Sequence, residues 1–282
     1  MKDFKPMLAQ VYTDENQIDW SQPVYMQPKL DGVRCIFTKE GAFSRTGKRF
    51  MNVKHIELEL QGLFKQQPHL ILDGELYNHK LKNDFEKIIS LVRKQKPTDT
   101  DRLDAQHLVQ FHVYDYTGQK PNLLENLKYK GRQDNLTCSD IYCPSICYTD
   151  TRRVATPAMI KVLHDKWLDM GYEGSIIRLN GEYEQKRSKN LLKVKDFSDS
   201  EAIITGFVEG KGKRIGTIGK FIAVDSQGMQ FGMPVMDKFK YLQDNFKEMQ
   251  TWIGKIATFT YFEKTKRGSY RHPLFKAIRN YE

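Results

Sequence analysis

Apolar and polar positions along the first two hundred residues alternate between two periods, and each change of period marks an element. Short apolar runs at 24–26 and 35–37 flank a polar stretch with a glycine, which predicts strand, turn, strand. Glu40-Gly41 signals a further turn. Val53, Ile56, Leu60 and Phe64 recur near helical spacing and predict a helix over 53–67. Residues 69–77 read as a strand built on 70–72, followed by Asp73-Gly74-Glu75. A second helix spans 84–95, with Phe85, Ile88, Ile89, Leu91 and Val92 on its apolar side. Residues 97–106 are polar and predict a loop. Alternation returns at 108–116, a strand, and residues 118–121 turn the chain. Helix is expected over 122–136, strand over 141–148, and helix over 157–170 closed by Gly171. An acid at Glu173 opens a strand to Arg178. A basic loop follows at 183–190, then a strand over 191–195 that places Lys193 and Lys195 on one face. The first twenty residues read as a lead-in draped over a pocket.

From Ser198 the texture changes to short strands with glycine turns, at 201–208, 219–224, 229–231 and 256–262, interrupted by a helical stretch at 237–249. About 85 residues of that kind suit a small β-barrel of the oligonucleotide-binding type. The chain therefore divides into 1–197 and 198–282, both of mixed α+β character.

Charge sharpens this division. The 282 residues carry a formal +10, which points to a polyanionic partner, most simply nucleic acid. Residues 198–282 hold 14 Lys and Arg against 9 Asp and Glu, and the preceding 197 hold 31 against 26. Each part is thus +5, and the smaller has over twice the charge density. Hydrophobic content of 39% supports a real core, and no run of 18 apolar residues exists, so no membrane span is expected. With no apolar leader at its start, the chain is expected to be cytoplasmic; a viral or phage origin is compatible. Cys35, Cys138, Cys143 and Cys147 lack the paired spacing of a zinc site and read as free thiols.

The candidate chemistry centres on Lys29-Leu30-Asp31-Gly32-Val33-Arg34, between the first two strands. A lysine, an acid, a glycine and an arginine in six residues suit the holding of a phosphate better than a core. Phe43-Ser44-Arg45-Thr46-Gly47-Lys48 adds two cations beside a glycine and hydroxyls, which also suits phosphate, although an ordinary basic hairpin loop looks the same. The two acids of Asp73-Gly74-Glu75 could meet a ribose hydroxyl or a metal.

The order of these motifs is specific. Lys29-x-Asp31-Gly32-x-Arg34, Ser44-Arg45-Thr46-Gly47, Asp73-Gly74-Glu75, Tyr114-Asp115-Tyr116, Glu173-Gly174-x-x-x-Arg178 and Leu192-Lys193-x-Lys195 together resemble the covalent nucleotidyltransferase superfamily. Within it the chain is most similar to the ATP-dependent DNA ligases, the small two-domain viral, phage and bacterial type above all. Lys5-Pro6-Met7-Leu8-Ala9 is similar to the start of many ligase adenylation domains.

The resemblance implies an adenylation domain of antiparallel sheets with flanking helices, ATP-grasp-like, followed by an OB-fold barrel. It implies ATP and Mg²⁺ (or Mn²⁺) as cofactors, nicked duplex DNA as partner, and a monomer. Lys29 is the implied nucleophile, attacking the α-phosphate of ATP to give enzyme-AMP. AMP then passes to the 5′-phosphate of a nick, and the 3′-hydroxyl displaces it. Lysine attacks as the neutral amine, and free lysine titrates near about 10.4, so the cations Arg34, Lys193 and Lys195 are expected to ease its deprotonation while they hold phosphate. In the same carry-over Arg34 and Arg45 touch the nucleotide or the nick phosphate, Glu75 binds the ribose, and Tyr114 stacks on adenine. Gln27 reads the adenine edge through its backbone or side chain, and Arg187 lies near the nucleotide. Glu173, with Glu75, binds metal. Arg45, Lys48, Lys211, Lys213 and Arg214 are expected DNA contacts, and Asp31 and Asp73 are structural braces.

The chain departs from the family in places. Ligases that encircle DNA carry a long latch in the barrel, and here only a short loop, 211–217, stands there. A DNA-binding domain before residue 1 is not expected. The last family motif has only Arg279 as a candidate. An RNA ligase or a GTP-using capping enzyme remains an alternative, as does a non-catalytic nick-binding protein. The barrel speaks against many RNA ligases, Glu173-Gly174 and the Leu-Lys-Val-Lys ending against capping enzymes, and the complete motif set against decay.

Overall fold

The structure is a computed structural model that describes residues 4–118, 127–137, 143–194, 196–265 and 268–279. Two compact units divide the chain, Met1–Val194 and Lys195–Glu282.

The first unit holds two five-stranded sheets. One has the order β1 (Leu8–Val11), β10 (Arg187–Val194), β9 (Ser175–Leu179), β2 (Val24–Pro28), β8 (Arg152–Val154). The other runs β4 (Gly41–Phe43), β3 (Val33–Thr38), β5 (Leu70–Tyr77), β6 (Gln110–Gly118), β7 (Ile146–Tyr148). All pairings are antiparallel except β1 with β10 and β6 with β7. Six helices flank the sheets: α1 (Lys54–Glu59), α2 (Gln61–Gln66), α3 (Phe85–Val92), α4 (Asp99–Leu108), α5 (Tyr129–Thr137) and α6 (Pro157–Asp169).

Period-two alternation gives each sheet one core face and one face left for chemistry. In the first sheet Met26, Ile177 and Leu192 pack with Ile160 and Trp167 of α6. Their neighbours Gln27, Ile176, Arg178, Leu191 and Lys193 therefore take the other face and line a cavity. In the second sheet Leu72, Leu76, Phe111 and Val113 bury against α1 to α4 with Ile56, Leu60, Ile88 and Ala105. The odd-numbered Asp73, Glu75 and Tyr77 consequently share the opposite face of β5.

Several boundaries differ from the sequence expectation. Residues 99–108, expected as loop, form α4. Thr98 and Asp101 make a capping box, with Thr98 Oγ1 accepting from Asp101 N at 3.2 Å and Asp101 Oδ2 accepting from Thr98 N at 3.0 Å. Two reciprocal caps compensate for a helix whose only buried residue is Ala105. The single helix expected over 53–67 is two short ones meeting at Leu60, which is fully buried. The lead-in segment is an edge strand, β1, and β10 starts inside the expected basic loop because it pairs with it. β8 is an additional strand that the hydrophobic pattern does not mark. Of the helix expected over 122–136 and the strand over 141–148, residues 122–126 and 141–142 lie outside the described residues.

The second unit carries a five-stranded sheet, β13 (Gln230–Pro234), β12 (Ile218–Val224), β11 (Ser198–Glu209), β14 (Ile256–Tyr261), β17 (Leu274–Ile278). A two-stranded ribbon, β15 (Glu263–Lys264) and β16 (Tyr270–Arg271), and helices α7 (Phe239–Asp244) and α8 (Phe246–Gln250) complete it. The helical stretch expected at 237–249 is thus two short helices, which bury Leu242 and Met249. β11 pairs β14 through its first half and β12 through its second, with a register shift between Ile204 and Gly206. Such an irregularity bends a strand and lets one strand serve both sides of a curved sheet. Phe221, Met233 and Phe259 fill the concave side with no exposure. The strands of the expected oligonucleotide-binding fold are present among the described residues, and the end strands β13 and β17 come within 8 Å of each other at Cα, without ladder pairing. No helix is long and apolar enough to cross a membrane among the described residues.

Candidate active site

The hexapeptide is the place where the chain crosses from one sheet of the first unit to the other. β2 ends at Pro28 in the first sheet and β3 begins at Val33 in the second. Lys29 N donates to Gly174 O at 2.8 Å, and Glu173 N donates to Lys29 O at 3.1 Å. The backbone of Lys29 is thereby clasped to the turn between α6 and β9. Two glycines make the approach feasible. A Cβ on Gly32 would stand 2.4 Å from Leu76 O, and one on Gly174 would stand 2.5 Å from Val194 O, at a φ of +141°.

The side chains converge on one cavity of about 270 Å³. Ala9, Gln27, Lys29, Arg34, Arg45, Glu75, Tyr114, Arg178 and Lys193 all contribute to its walls. The Lys29 ammonium contacts the Glu173 carboxylate directly, with the lysine side chain 24% and the glutamate 6% exposed. Arg34 is held bidentate by buried Asp73, Nε to Oδ1 at 2.9 Å and Nη2 to Oδ2 at 2.5 Å. Tyr183 Oη also donates to Asp73 Oδ2, at 2.6 Å. The Tyr114 ring centroid lies 5.1 Å from the Arg178 guanidinium and 5.7 Å from that of Arg34. A planar ring fixed by cations on a cavity wall is a stacking platform for another planar group.

Glu75 faces Arg34 across the β3–β5 ladder. Burial pushes its carboxyl up from the ordinary 4.5 to about 8, against the pull of Lys29 and Arg34 and helped by Asp73 and Glu173. Unfolded chain releases this proton near 4.5 and the folded protein keeps it until about 8. The folded state thus binds more protons between those values, and stability falls as pH rises through that window. Glu75→Gln, which mimics the protonated acid, should flatten the slope in denaturant titrations run between pH 5 and 8. An unchanged slope would move the proton to another group.

Gln27 lies in the wall of the first cavity. Its side chain is 2% exposed, and the two hydrogens of Nε2 have three acceptors in reach: Thr151 Oγ1 at 2.8 Å, Tyr129 Oη at 3.0 Å and Tyr114 O at 3.2 Å. Oε1 accepts from Arg178 Nε at 2.6 Å. These contacts fix the Gln27 amide in the cavity wall, with one lone pair of Oε1 taken by Arg178. Arg187 is exposed, donates to Ala9 O, and does not reach the cavity wall. Lys193 reaches it, and Lys195 lies outside the described residues. Arg45 and Lys48 line a neighbouring pocket of about 570 Å³, which shares Arg34, Arg45 and Glu75 with the first. Arg93 and Gln95 from the end of α3 join them there. Their position after a helix of core residues carried no sequence signal.

Sequence reasoning also missed the buried network behind Tyr114. Asp115, with no exposure, accepts from Arg132 Nε at 2.7 Å, Arg132 Nη2 at 3.1 Å and Arg178 Nη1 at 2.8 Å. Burial raises the Asp115 carboxyl, and the two guanidiniums outweigh it and hold it below the ordinary range. In the second unit Lys211 and Lys213 are exposed on the loop between β11 and β12, while Arg214 Nη2 donates to Val235 O at 3.2 Å. Arg279 pairs with Glu201.

Comparison with known proteins follows this geometry. Residues 6–195 match the family model of the ATP-dependent DNA ligase domain, about two thirds of the chain. The chain belongs to the ATP-dependent DNA ligase family. A DNA ligase of African swine fever virus is 28% identical over 214 residues, covering 68% of this chain and 46% of its own length. The chain thus spans about half the length of that viral relative. The DNA ligase of Haemophilus influenzae is 25% identical over 276 residues, covering 95% of this chain and 90% of its own. Among solved structures, a Lig E DNA ligase superposes with a TM-score of 0.77 at 22% identity over 98% of this chain and 99% of its own, which establishes a shared two-part α+β fold. Bacteriophage T7 ligase, solved with ATP, gives 0.58 at 18% identity, over 99% of each chain.

A family of this kind uses ATP, and the cavity's residues fit the nucleotide: cations for phosphate, a ring for a base, a carboxylate for hydroxyls. The fit to a divalent cation can be tested on Glu75 and Glu173. Among the described residues no group of three His, Cys, Asp or Glu side chains stands ready to hold a metal alone. Mg²⁺ commonly takes one or two carboxylates and completes its shell with water and substrate phosphates. Glu75 on the cavity wall and Glu173 beside Lys29 are two carboxyl groups that suit that mode.

Proposed function

We propose that this protein is an ATP-dependent DNA ligase, sealing 3′-hydroxyl/5′-phosphate nicks in duplex DNA through a lysyl-AMP intermediate. The observation that carries the reading is Lys29, against Glu173, on the wall of one cavity with Arg34, Arg45, Glu75, Tyr114 and Lys193.

Lys29 Nζ attacks the α-phosphate of ATP. The new P–N bond forms as the bond to pyrophosphate breaks, and the neutral amine loses one proton to solvent while keeping one N–H in the phosphoramidate. Attack needs the nitrogen lone pair directed at phosphorus, so the Lys29–Glu173 contact must rearrange for the amine to reach it. Arg34 and Lys193 face the phosphates and offset the charge that develops on them. Arg34 is oriented for this by Asp73, so its fork is fixed before substrate arrives. Tyr114 receives the base and Glu75 the ribose hydroxyls. Mg²⁺ or Mn²⁺, held by Glu75 and Glu173, would supply positive charge at the phosphates when bound. In the second step a 5′-phosphate oxygen displaces the lysine, which takes a proton back. In the third a 3′-hydroxyl displaces AMP from the activated phosphate.

Residues 1–197 act in this reading as the nucleotidyltransferase domain and 198–282 as the OB-fold domain. Arg45 and Lys48 in the first, and Lys211, Lys213 and Arg214 in the second, serve as phosphate contacts. Lys195 adds a second phosphate contact beside Lys193. The protein acts as a monomer inside the cell.

Incubation with α-labelled ATP and a divalent cation tests this. An acid-stable label on Lys29 and sealing of a nicked duplex are expected. Labelling by GTP and not ATP, or faster sealing of an all-RNA nick, would replace the reading by one of its relatives. Binding to a nick without any labelling would favour a non-catalytic binder. Nick binding should also weaken steeply with salt as phosphate contacts release counterions. Replacing Lys211, Lys213 and Arg214 by alanine should reduce the log–log slope by roughly one for each DNA phosphate that is no longer neutralised, and an unchanged slope would remove that loop from the interface.

A further inference from the structure

A group of aromatic and imidazole side chains lies behind the Lys29 turn, on the cavity-side face of β5, and takes no part in the chemistry above. Tyr77, last residue of β5, packs beneath the hexapeptide: its Cβ lies 3.2 Å from where a Cβ on Gly32 would be. Tyr77 Oη hydrogen-bonds His79 Nδ1 at 2.8 Å. The His79 ring lies against Tyr172, with centroids 4.4 Å apart and planes at 31°. Three residues on, Lys82 Nζ donates to Met170 O at 2.7 Å. The short turn after β5 therefore grips the 170–174 turn at two points.

That second turn carries Glu173 and Gly174, which hold the Lys29 side chain and backbone. Lys29 leads through the hexapeptide to Gly32, which rests on Tyr77. The contacts form a closed ring from Lys29 through Glu173, Tyr172, His79, Tyr77 and Gly32 back to Lys29. β9 and β5 belong to different sheets, so His79 joins the two walls of the cavity on the side where the nucleophile sits.

We propose that His79, through Tyr172, is a positioning residue for Lys29, setting where Glu173 holds the amine relative to the opposite wall. This inference rests on the ligase reading and adds to it a residue pair outside the motifs. An error of an ångström in the attacking atom costs on the order of a hundredfold in rate. Such positioning matters where Lys29 reacts, in the first two steps, and not in the third, where the lysine is no longer bonded to AMP.

Single-turnover measurements separate these steps. His79→Ala and Tyr172→Leu should each slow Lys29 adenylation by roughly tenfold to a hundredfold. Both should seal a pre-adenylated nick at the wild-type rate. Tyr172→Phe, which retains the ring against His79, should adenylate like wild type. The double variant His79→Ala/Tyr172→Leu should be no slower than the worse single one, because both break the same link. Wild-type rates of adenylation in both single variants would overturn the proposal. So would equal losses in adenylation and in sealing of the pre-adenylated nick, which mark general damage to the fold. If His79→Ala does not fold, the contrast between Tyr172→Leu and Tyr172→Phe decides alone. Wild-type protein that takes no label from ATP would instead defeat the ligase reading, and this inference with it.

Discussion

Lys29→Ala is expected to abolish both labelling by ATP and sealing of a 5′-phosphorylated nick, a loss on the order of 10⁵-fold or more, as for removal of a covalent nucleophile. Lys193 is the other lysine on the same cavity wall, and it cannot substitute. The backbone of Lys29 is clasped at residues 173 and 174, so its amine emerges beside Glu173, while Lys193 projects from β10. The same variant should still seal a nick supplied already adenylated, since no bond to lysine forms or breaks in that step. Lys29→Arg separates charge from nucleophilicity: it can retain an ion pair with Glu173 and should be as inactive as alanine. Label appearing on the Lys29→Ala protein would end the assignment of Lys29.

Asp115→Ala is expected to cost about 3–5 kcal/mol of stability, the range for breaking a buried ion pair from one side. Its carboxylate stands between Arg132 and Arg178, whose side chains are 1% and 5% exposed. Removing it leaves two guanidiniums facing each other without water. A fall in Tm of roughly 10 °C is the corresponding readout. The loss should also reach the cavity, because Arg178 backs the Tyr114 ring and orders Gln27. The wild-type stabilisation from Asp115 is present above the ordinary carboxylate value of 3.8 and disappears as pH falls through the lower folded value. A variant within about 1 kcal/mol of wild type would show that the arginines find other partners.

Much of the first unit was legible because hydrophobic period and site chemistry coincide there. The alternation that buries Met26, Ile177 and Leu192 also sends Gln27, Arg178 and Lys193 to the opposite face. Errors fell where period carries little information. Helix α4 has one buried residue and depends on its Thr98–Asp101 box, a signal present in the sequence but outweighed by polar composition. β1 and β8 are edge strands of four and three residues, and their existence depends on partners far along the chain. The five strands of the expected oligonucleotide-binding fold are present, and the approach of β13 to β17 depends on contacts across the chain that strand number does not encode.

The sequence by itself determined the family and the order of its motifs, because spacing along the chain is what those motifs consist of. Which groups share a cavity, and in what state, only the tertiary structure decided. The Gln27 amide acquired Arg178, Tyr129 and Thr151 as partners. Glu75 became a carboxyl held up near 8 because burial and the nearby acids Asp73 and Glu173 outweigh the cations beside it. Lys29 acquired a partner, Glu173, 144 residues away. The reason is common to all three: hydrogen bonds, desolvation and ion pairs depend on distances in space, and the folded chain brings within contact groups that its sequence keeps far apart.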